Sequence, residues 1–283
     1  MRTVAIFFAA LALAGCRQDN PPSKPDTGAG HQHGPAGADG DGHRKEAGGH
    51  DGHGAAPATL DVLAGGDAEA GKPTTLRLAV KDEAGAPVKE FAESHEAKVH
   101  LIVVRAGLDR FAHLHPKVDA QGVLTAQYTF PAGGTYHLFA DFTRPGKSAT
   151  TAAARITVAG ADSPAPPLKA DAPGTVTGDD TTAAVTLEGV KAGAEGMIRF
   201  TLGGADGKPV ADLEPYMGAM GHLVVLSADA KRYVHAHPAD GHKPGGNVVT
   251  FGAHFPEAGL YKGWGQFKRG GQVRIVPFVV QVP

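Results

Sequence analysis

The run "VHLIVVRAGLDRFAHLHP" at residues 99–116 is written a second time as "GHLVVLSADAKRYVHAHP" at 221–238. A shift of 122 residues pairs Val88 with Val210, His100 with His222, His113 with His235, and His115-Pro116 with His237-Pro238. At a shift of 125 the likeness continues, matching Phe130-Pro131 with Phe255-Pro256, Tyr136 with Tyr261, Phe139 with Trp264 and Phe142 with Phe267. The three extra residues lie in "ADGHKPGG", a loop where insertion costs little. Duplication of a unit of about 100 residues is the simplest account. It constrains the fold, because both copies must be able to build the same structure.

Each copy alternates short runs rich in Val, Ile, Thr, Leu and aromatics with Gly, Pro and Asp turns. The first reads "TTLRLAV", "KVHLIVV", "RFAHLH", "VLTAQYTF", "TYHLFADF", "ARITV"; the second reads "MIRFTL", "GHLVVL", "RYVHAH", "NVVTFGAHF", "LYKGWGQF", "VRIVPFVVQV". Beyond residue 16 no helix-period stretch of three turns interrupts this pattern. With 283 residues, 42% of them hydrophobic, there is enough apolar material for two cores. We expect an all-β chain of two tandem Greek-key β-sandwiches, Ig-like or cupredoxin-like, each of about seven strands. The first occupies 58–160 and the second 173–283, with the Pro-rich "ADSPAPPLKADA" linking them at 161–172.

The chain starts with one Arg, an apolar run from Val4 to Ala14 too short to span a bilayer stably, and small residues before Cys16. Leu13-Ala14-Gly15-Cys16 resembles the lipobox of bacterial lipoproteins, which implies a signal peptide at 1–15 and acyl chains on Cys16. The alternative is an ordinary export signal with an incidental cysteine. Cys16 is the sole cysteine, so neither sandwich can hold a disulfide. Residues 16–57 carry the anchor and a Gly, Ala, Pro, Asp and His-rich tether expected to be disordered. Its five histidines, His31, His33, His43, His50 and His53, suit weak capture of Cu, Ni or Zn, or else belong to a plain solubilising spacer. A formal charge of -2 with no basic block excludes nucleic acid as an expected partner. The membrane, reached through the lipid, is the expected one.

Taken as a hairpin turning at 106–109, "VHLIVV" and "RFAHLHP" pair Ile102 with His113 and set His100 opposite His115. Side chains alternate along strands, so His100, His113 and His115 then share one face. Opposed Cβ atoms lie about 4.5–5.5 Å apart and diagonal ones about 7–8 Å, within reach of imidazoles converging on one ion. The same construction gathers His222, His235 and His237. Histidines that merely cap strand ends beside Pro116 and Pro238 are the competing explanation.

Upstream of these strands the copies differ: "FAESHEAKVH" in the first, "LEPYMGAMGH" in the second, so that His95 becomes Met217, Glu96 becomes Gly218 and Lys98 becomes Met220. Soft thioethers favour Cu(I), whereas imidazole sets serve Cu(II), Zn and Ni about as readily. The second copy, through Met217, Met220, His222, His235 and His237, is therefore expected to prefer Cu(I), unless the methionines pack inward as a core plug.

Catalytic signatures are missing from the sequence. "HEAKVH" has one residue too many for H-E-x-x-H, and "GDAEAGKP" puts Pro73 where a phosphate loop needs Ser or Thr. An enzyme using a bound metal would need a general base such as Glu96 or Asp141, but Gly218 and Gln266 stand at the equivalent places in the second copy. No enzyme is expected. His137, His242 and His254 have no counterpart between the copies and read as surface or structural residues.

The "H-L-[IV]-V-[VL]" strand followed by "H-x-H-P" resembles YtkA-like modules of bacterial secreted proteins and lipoproteins and, more loosely, cupredoxin-fold periplasmic copper carriers. The resemblance covers about 60 residues of each copy. It implies an envelope protein that binds copper, with zinc or nickel as alternatives, for capture, buffering or delivery to a transport or metalloenzyme-assembly partner. A non-catalytic Ig-like interaction module with structural histidines is the competing function.

Overall fold

The computed structural model describes residues 58–162, 164–236, 238–239 and 244–283, apart from the side chain of His235. The expected signal peptide, Cys16, the tether with its five histidines, and His237 lie outside the described residues. Within them every regular element is a strand. The first repeat forms β1 (Thr59–Ala64), β2 (Pro73–Lys81), β3 (Val99–Arg105), β4 (Phe111–Leu114), β5 (Lys117–Val118), β6 (Val123–Thr129), β7 (Gly134–Thr143) and β8 (Ala149–Val158). The second forms β9 (Thr175–Gly178), β10 (Thr181–Glu188), β11 (Ala194–Gly204), β12 (Leu213–Glu214), β13 (His222–Ser227), β14 (Tyr233–Ala236), β15 (Val248–Phe255), β16 (Gly259–Arg269) and β17 (Gln272–Val282).

In the first repeat β5, β6, β2 and β1 form one layer and β4, β3, β7 and β8 the other, the two joined where β1 meets β8 in parallel at Thr59 and Ala153. This is the Ig-like arrangement, the chain changing layer after β2, β4 and β6. The second repeat keeps it: β9, β10, β11 and β15 make one sheet, while β14, β13, β16 and β17 make the core of the other. Each repeat also has a tyrosine corner, in which a Tyr near the start of β7 or β16 bonds back to the chain upstream. Tyr136 donates to Ala132 O at 2.9 Å, and Tyr261 donates to Glu257 O at 3.0 Å. The fold is therefore the Ig-like member of the two sandwich types the sequence suggested.

Each sandwich has its own core, Leu76, Leu101, Val103, Phe130 and Tyr136 in the first and Phe200, Leu223, Val225, Phe251 and Phe267 in the second. The outward faces of the β4-β3-β7 and β14-β13-β16 sheets are covered too. Ile102, Val104 and Phe139 of the first repeat pack with Val224, Leu226 and Trp264 of the second in one apolar cluster, which Leu168 of the linker joins. Phe111 stacks on Trp264 with ring centres 4.7 Å apart, and Phe139 stacks on Tyr233 at 5.0 Å. By the internal alignment these two stacks are the same contact with the repeats exchanged. The interface thus has a pseudo-twofold relation, as a duplicated unit packing on its own copy should.

Candidate metal centre

The β3-β4 hairpin places the first histidine set. Ile102 pairs with His113 and Leu101 with Leu114, the register expected from the hairpin, and the loop closes at Leu108 with φ 56°. His100, His113 and His115 therefore share a face. One ring nitrogen from each lies within 4.8 Å of the others, and the ring centres are 4.7 to 5.2 Å apart. Exposure is graded: His100 is buried, His113 half-buried and His115 exposed, so the cluster opens to solvent at one end.

His100 Nε2 lies 3.0 Å from Ser94 O, and His113 Nδ1 lies 3.0 Å from the Gln266 side-chain amide. The Ser94 carbonyl can only accept, so His100 Nε2 carries its proton and Nδ1 the lone pair when the ring is neutral. The Gln266 amide accepts from His113 in one orientation and donates to it in the other. His100 Nδ1 and His113 Nε2 face each other across 3.0 Å, a spacing that a shared proton or a metal ion can bridge. A ring whose second N–H is anchored to a carbonyl is also the usual arrangement of a metal-bound histidine.

The second repeat repeats the first half of this construction. Val224 pairs with His235 as Ile102 pairs with His113. His222 is fully buried, and its Nε2 lies 3.0 Å from Tyr216 O, the counterpart of the His100 to Ser94 bond. Its Nδ1 is therefore the lone-pair nitrogen. The side chain of His235, and His237 entirely, lie outside the described residues.

The histidine faces of both repeats are also interface faces. His222 lies beside the first repeat's rings, 6.0 Å from His100 and 5.9 Å from His113 between centres. Two side chains not counted as site residues also belong here. Gln266 reaches across from β16 to His113, and His95 lies 5.5 Å from His222. The sequence carried a signal for both: His95 aligns with Met217, and Gln266 aligns with Asp141, which pairs with His100 on β7.

Met220 is 6% exposed and packs in the second sandwich's core. The chain enters β13 there through Gly221, where a Cβ would come within 2.9 Å of Phe267, and the apolar side chain at 220 closes the core edge. Met217 is half-buried at a turn with φ 52°. Met220 thus has the inward packing of the core plug that was the alternative to a thioether ligand. Glu96 is exposed at the matching turn of the first repeat, with Gly218 of the opposite turn nearby: a Cβ there would lie 3.9 Å from Glu96 Oε1.

Fold and site together define a tandem Ig-like sandwich protein with a histidine cluster set between its repeats. The chain belongs to the family described as Domain of unknown function (DUF8832), whose model matches residues 57–160 and 175–283. No curated protein matches it. Among solved structures it is similar to invasin, a bacterial integrin-binding protein, with 14% identity, 80% of this chain and 39% of that one covered, and a TM-score of 0.24. A putative membrane anchored protein from Corynebacterium diphtheriae gives 11% identity, 81% and 57% coverage and a TM-score of 0.25. The D00-D0 domain of intimin gives 12%, 79%, 100% and 0.21. The chain spans less than two thirds of the first two.

Proposed function

We propose that this is a lipid-anchored protein of the bacterial cell envelope that binds a transition-metal ion, copper before zinc or nickel, for capture, buffering or delivery. The observation that carries the reading is the convergence of His100, His113 and His115, whose ligand atoms lie within 4.8 Å of one another. His100 Nδ1 and His113 Nε2 lie 3.0 Å apart, a pair that one ion can bridge. Neutral imidazoles suit Cu, Zn and Ni, and the general affinity order of divalent ions puts copper first. The resemblance of "H-x-H-P" to YtkA-like modules supports copper, and Leu13-Ala14-Gly15-Cys16 supports the envelope and the anchor. In the full chain with the five tether histidines changed to Ser, metal analysis should find about one tightly held ion per chain. Changing His100, His113 and His115 to Ala should remove it, and unchanged stoichiometry would sink the reading.

A second reading is a non-catalytic interaction module of the envelope with structural histidines. The observation in its favour is the architecture itself, since Ig-like sandwiches recur in cell-surface proteins, and a fold alone says nothing of metal. The same metal analysis separates the two, because a scaffold should hold no stoichiometric ion once the tether histidines are gone.

A further inference from the structure

We infer that Gln266 of the second repeat is a positioning residue for the metal centre of the first: its amide oxygen accepts the Nδ1 proton of His113 and so leaves Nε2 of that ring for the ion. The inference rests on the metal reading above and adds what orients one of its ligands. The two ring nitrogens of His113 have different neighbours. Nε2 lies 3.0 Å from His100 Nδ1, and Nδ1 lies 3.0 Å from Gln266 Oε1. An ion shared by His100 and His113 therefore takes Nε2, and the proton of the neutral ring is left on Nδ1. That proton requires an acceptor, so the bound ion selects the amide orientation in which Oε1 faces the ring. The acceptor in turn fixes the plane of the ring and raises the basicity of the ligating nitrogen.

The interface sets this contact by register. β4 carries Phe111 and His113 two residues apart, and β16 carries Trp264 and Gln266 two residues apart, so each pair lies on one face of its strand. The pairs meet in order: Phe111 stacks on Trp264 with ring centres 4.7 Å apart, and His113 meets Gln266. The docking that seats the tryptophan thus seats the amide as well. Gln266 is 1% exposed, and its hydrogen bond to His113 is the only one its side chain makes among the described residues, with Nε2 buried and unbonded there. A buried amide placed only to pack would be expected to have both ends bonded, whereas this one is desolvated for a single contact, to a candidate ligand. Because the ligand belongs to one repeat and its acceptor to the other, affinity for the ion is tied to docking, and by linkage the ion favours the docked arrangement.

The test uses the full chain with the five tether histidines as Ser, isotope-labelled at histidine for nitrogen NMR and titrated with Zn(II) beside Gln266→Leu and Gln266→Glu. In the Zn(II)-loaded parent the His113 ring, identified by the loss of its signals in His113→Gln, should show a metal-shifted Nε2 and a slowly exchanging proton on Nδ1. Leucine has no acceptor, so in Gln266→Leu that proton should exchange fast and Zn(II) affinity should fall about ten- to a hundredfold. Glutamate restores an acceptor, so Gln266→Glu should recover the protected proton and bind Zn(II) at least as tightly as the parent. Zinc on His113 Nδ1 in the parent, or unchanged affinity and exchange in Gln266→Leu, would overturn the role of Gln266 while leaving the metal reading intact. Equal losses in the leucine and glutamate variants would overturn it too, since packing alone would then account for the residue. A parent that takes up no Zn(II) would remove both the positioning role and the metal reading.

Discussion

His100 and His137 are both buried, yet the structure treats them differently. His100 Nδ1 faces another imidazole nitrogen, His113 Nε2, at 3.0 Å, whereas His137 Nδ1 accepts from Arg155 Nε at 3.3 Å. Burial first, and then the Arg155 charge, hold the His137 imidazole below its ordinary range. An unfolded histidine titrates near about 6.5, so below that pH the unfolded chain takes up a proton that the folded chain refuses. Stability contributed by a neutral His137 is therefore present above about pH 6.5 and is lost as pH falls through the lowered folded value. Urea unfolding of the wild type and His137→Gln between pH 5 and 7.5 should show the wild type losing its advantage as pH falls. A stability difference independent of pH would mean that His137 does not titrate in this way.

At the level of elements, the turns before β3 and β13 carry more of the site than their sequences advertise. His95 and Glu96 have φ of 50° and 60°, and the turn is closed by Ser94 and Ala97 bonding to each other. Two successive left-handed residues favour Asn-Gly, and each ordinary residue there costs about 1–2 kcal/mol. The second repeat already has glycine at the equivalent of Glu96, Gly218 with φ 71°. Glu96→Gly should therefore stabilise the protein by about 1 kcal/mol in chemical denaturation without loss of metal. A destabilised variant would show that the carboxylate, and not the strain, matters at this position. The β3-β4 hairpin itself was legible, because its length and the alternation of side chains left one register that puts all three histidines on a face. What that face meets was not read, although the signal was present. "HLIVV" and "HLVVL" are continuous apolar runs, and a strand exposed on one side should alternate. The runs are continuous because Leu101 and Val103 enter their own core while Ile102 and Val104 enter the interface.

For the whole molecule, the duplication yields two sandwiches packed on each other through one apolar cluster. The Phe111 to Trp264 stack and its counterpart between Phe139 and Tyr233 anchor the interface, and burial pushes the Tyr233 phenol well above its ordinary range. Trp264 is 4% exposed, and removing so large a buried ring costs about 3–5 kcal/mol. Because it sits between the repeats, Trp264→Ala should split thermal unfolding into two calorimetric transitions and speed proteolysis of the linker at 161–172. A single transition with little loss would mean that the repeats are held by something else. That the interface also houses the histidines could not be derived from either copy alone, since it depends on how two similar surfaces dock. The central claim, an ion held by histidines between the repeats, is tested most directly by anomalous diffraction from crystals of the chain grown with Cu(II) or Zn(II). The account predicts a peak about 2.0–2.1 Å from His100 Nδ1 and His113 Nε2. A well-ordered interface with no peak there, or metal bound elsewhere while those two nitrogens stay in mutual contact, would contradict it.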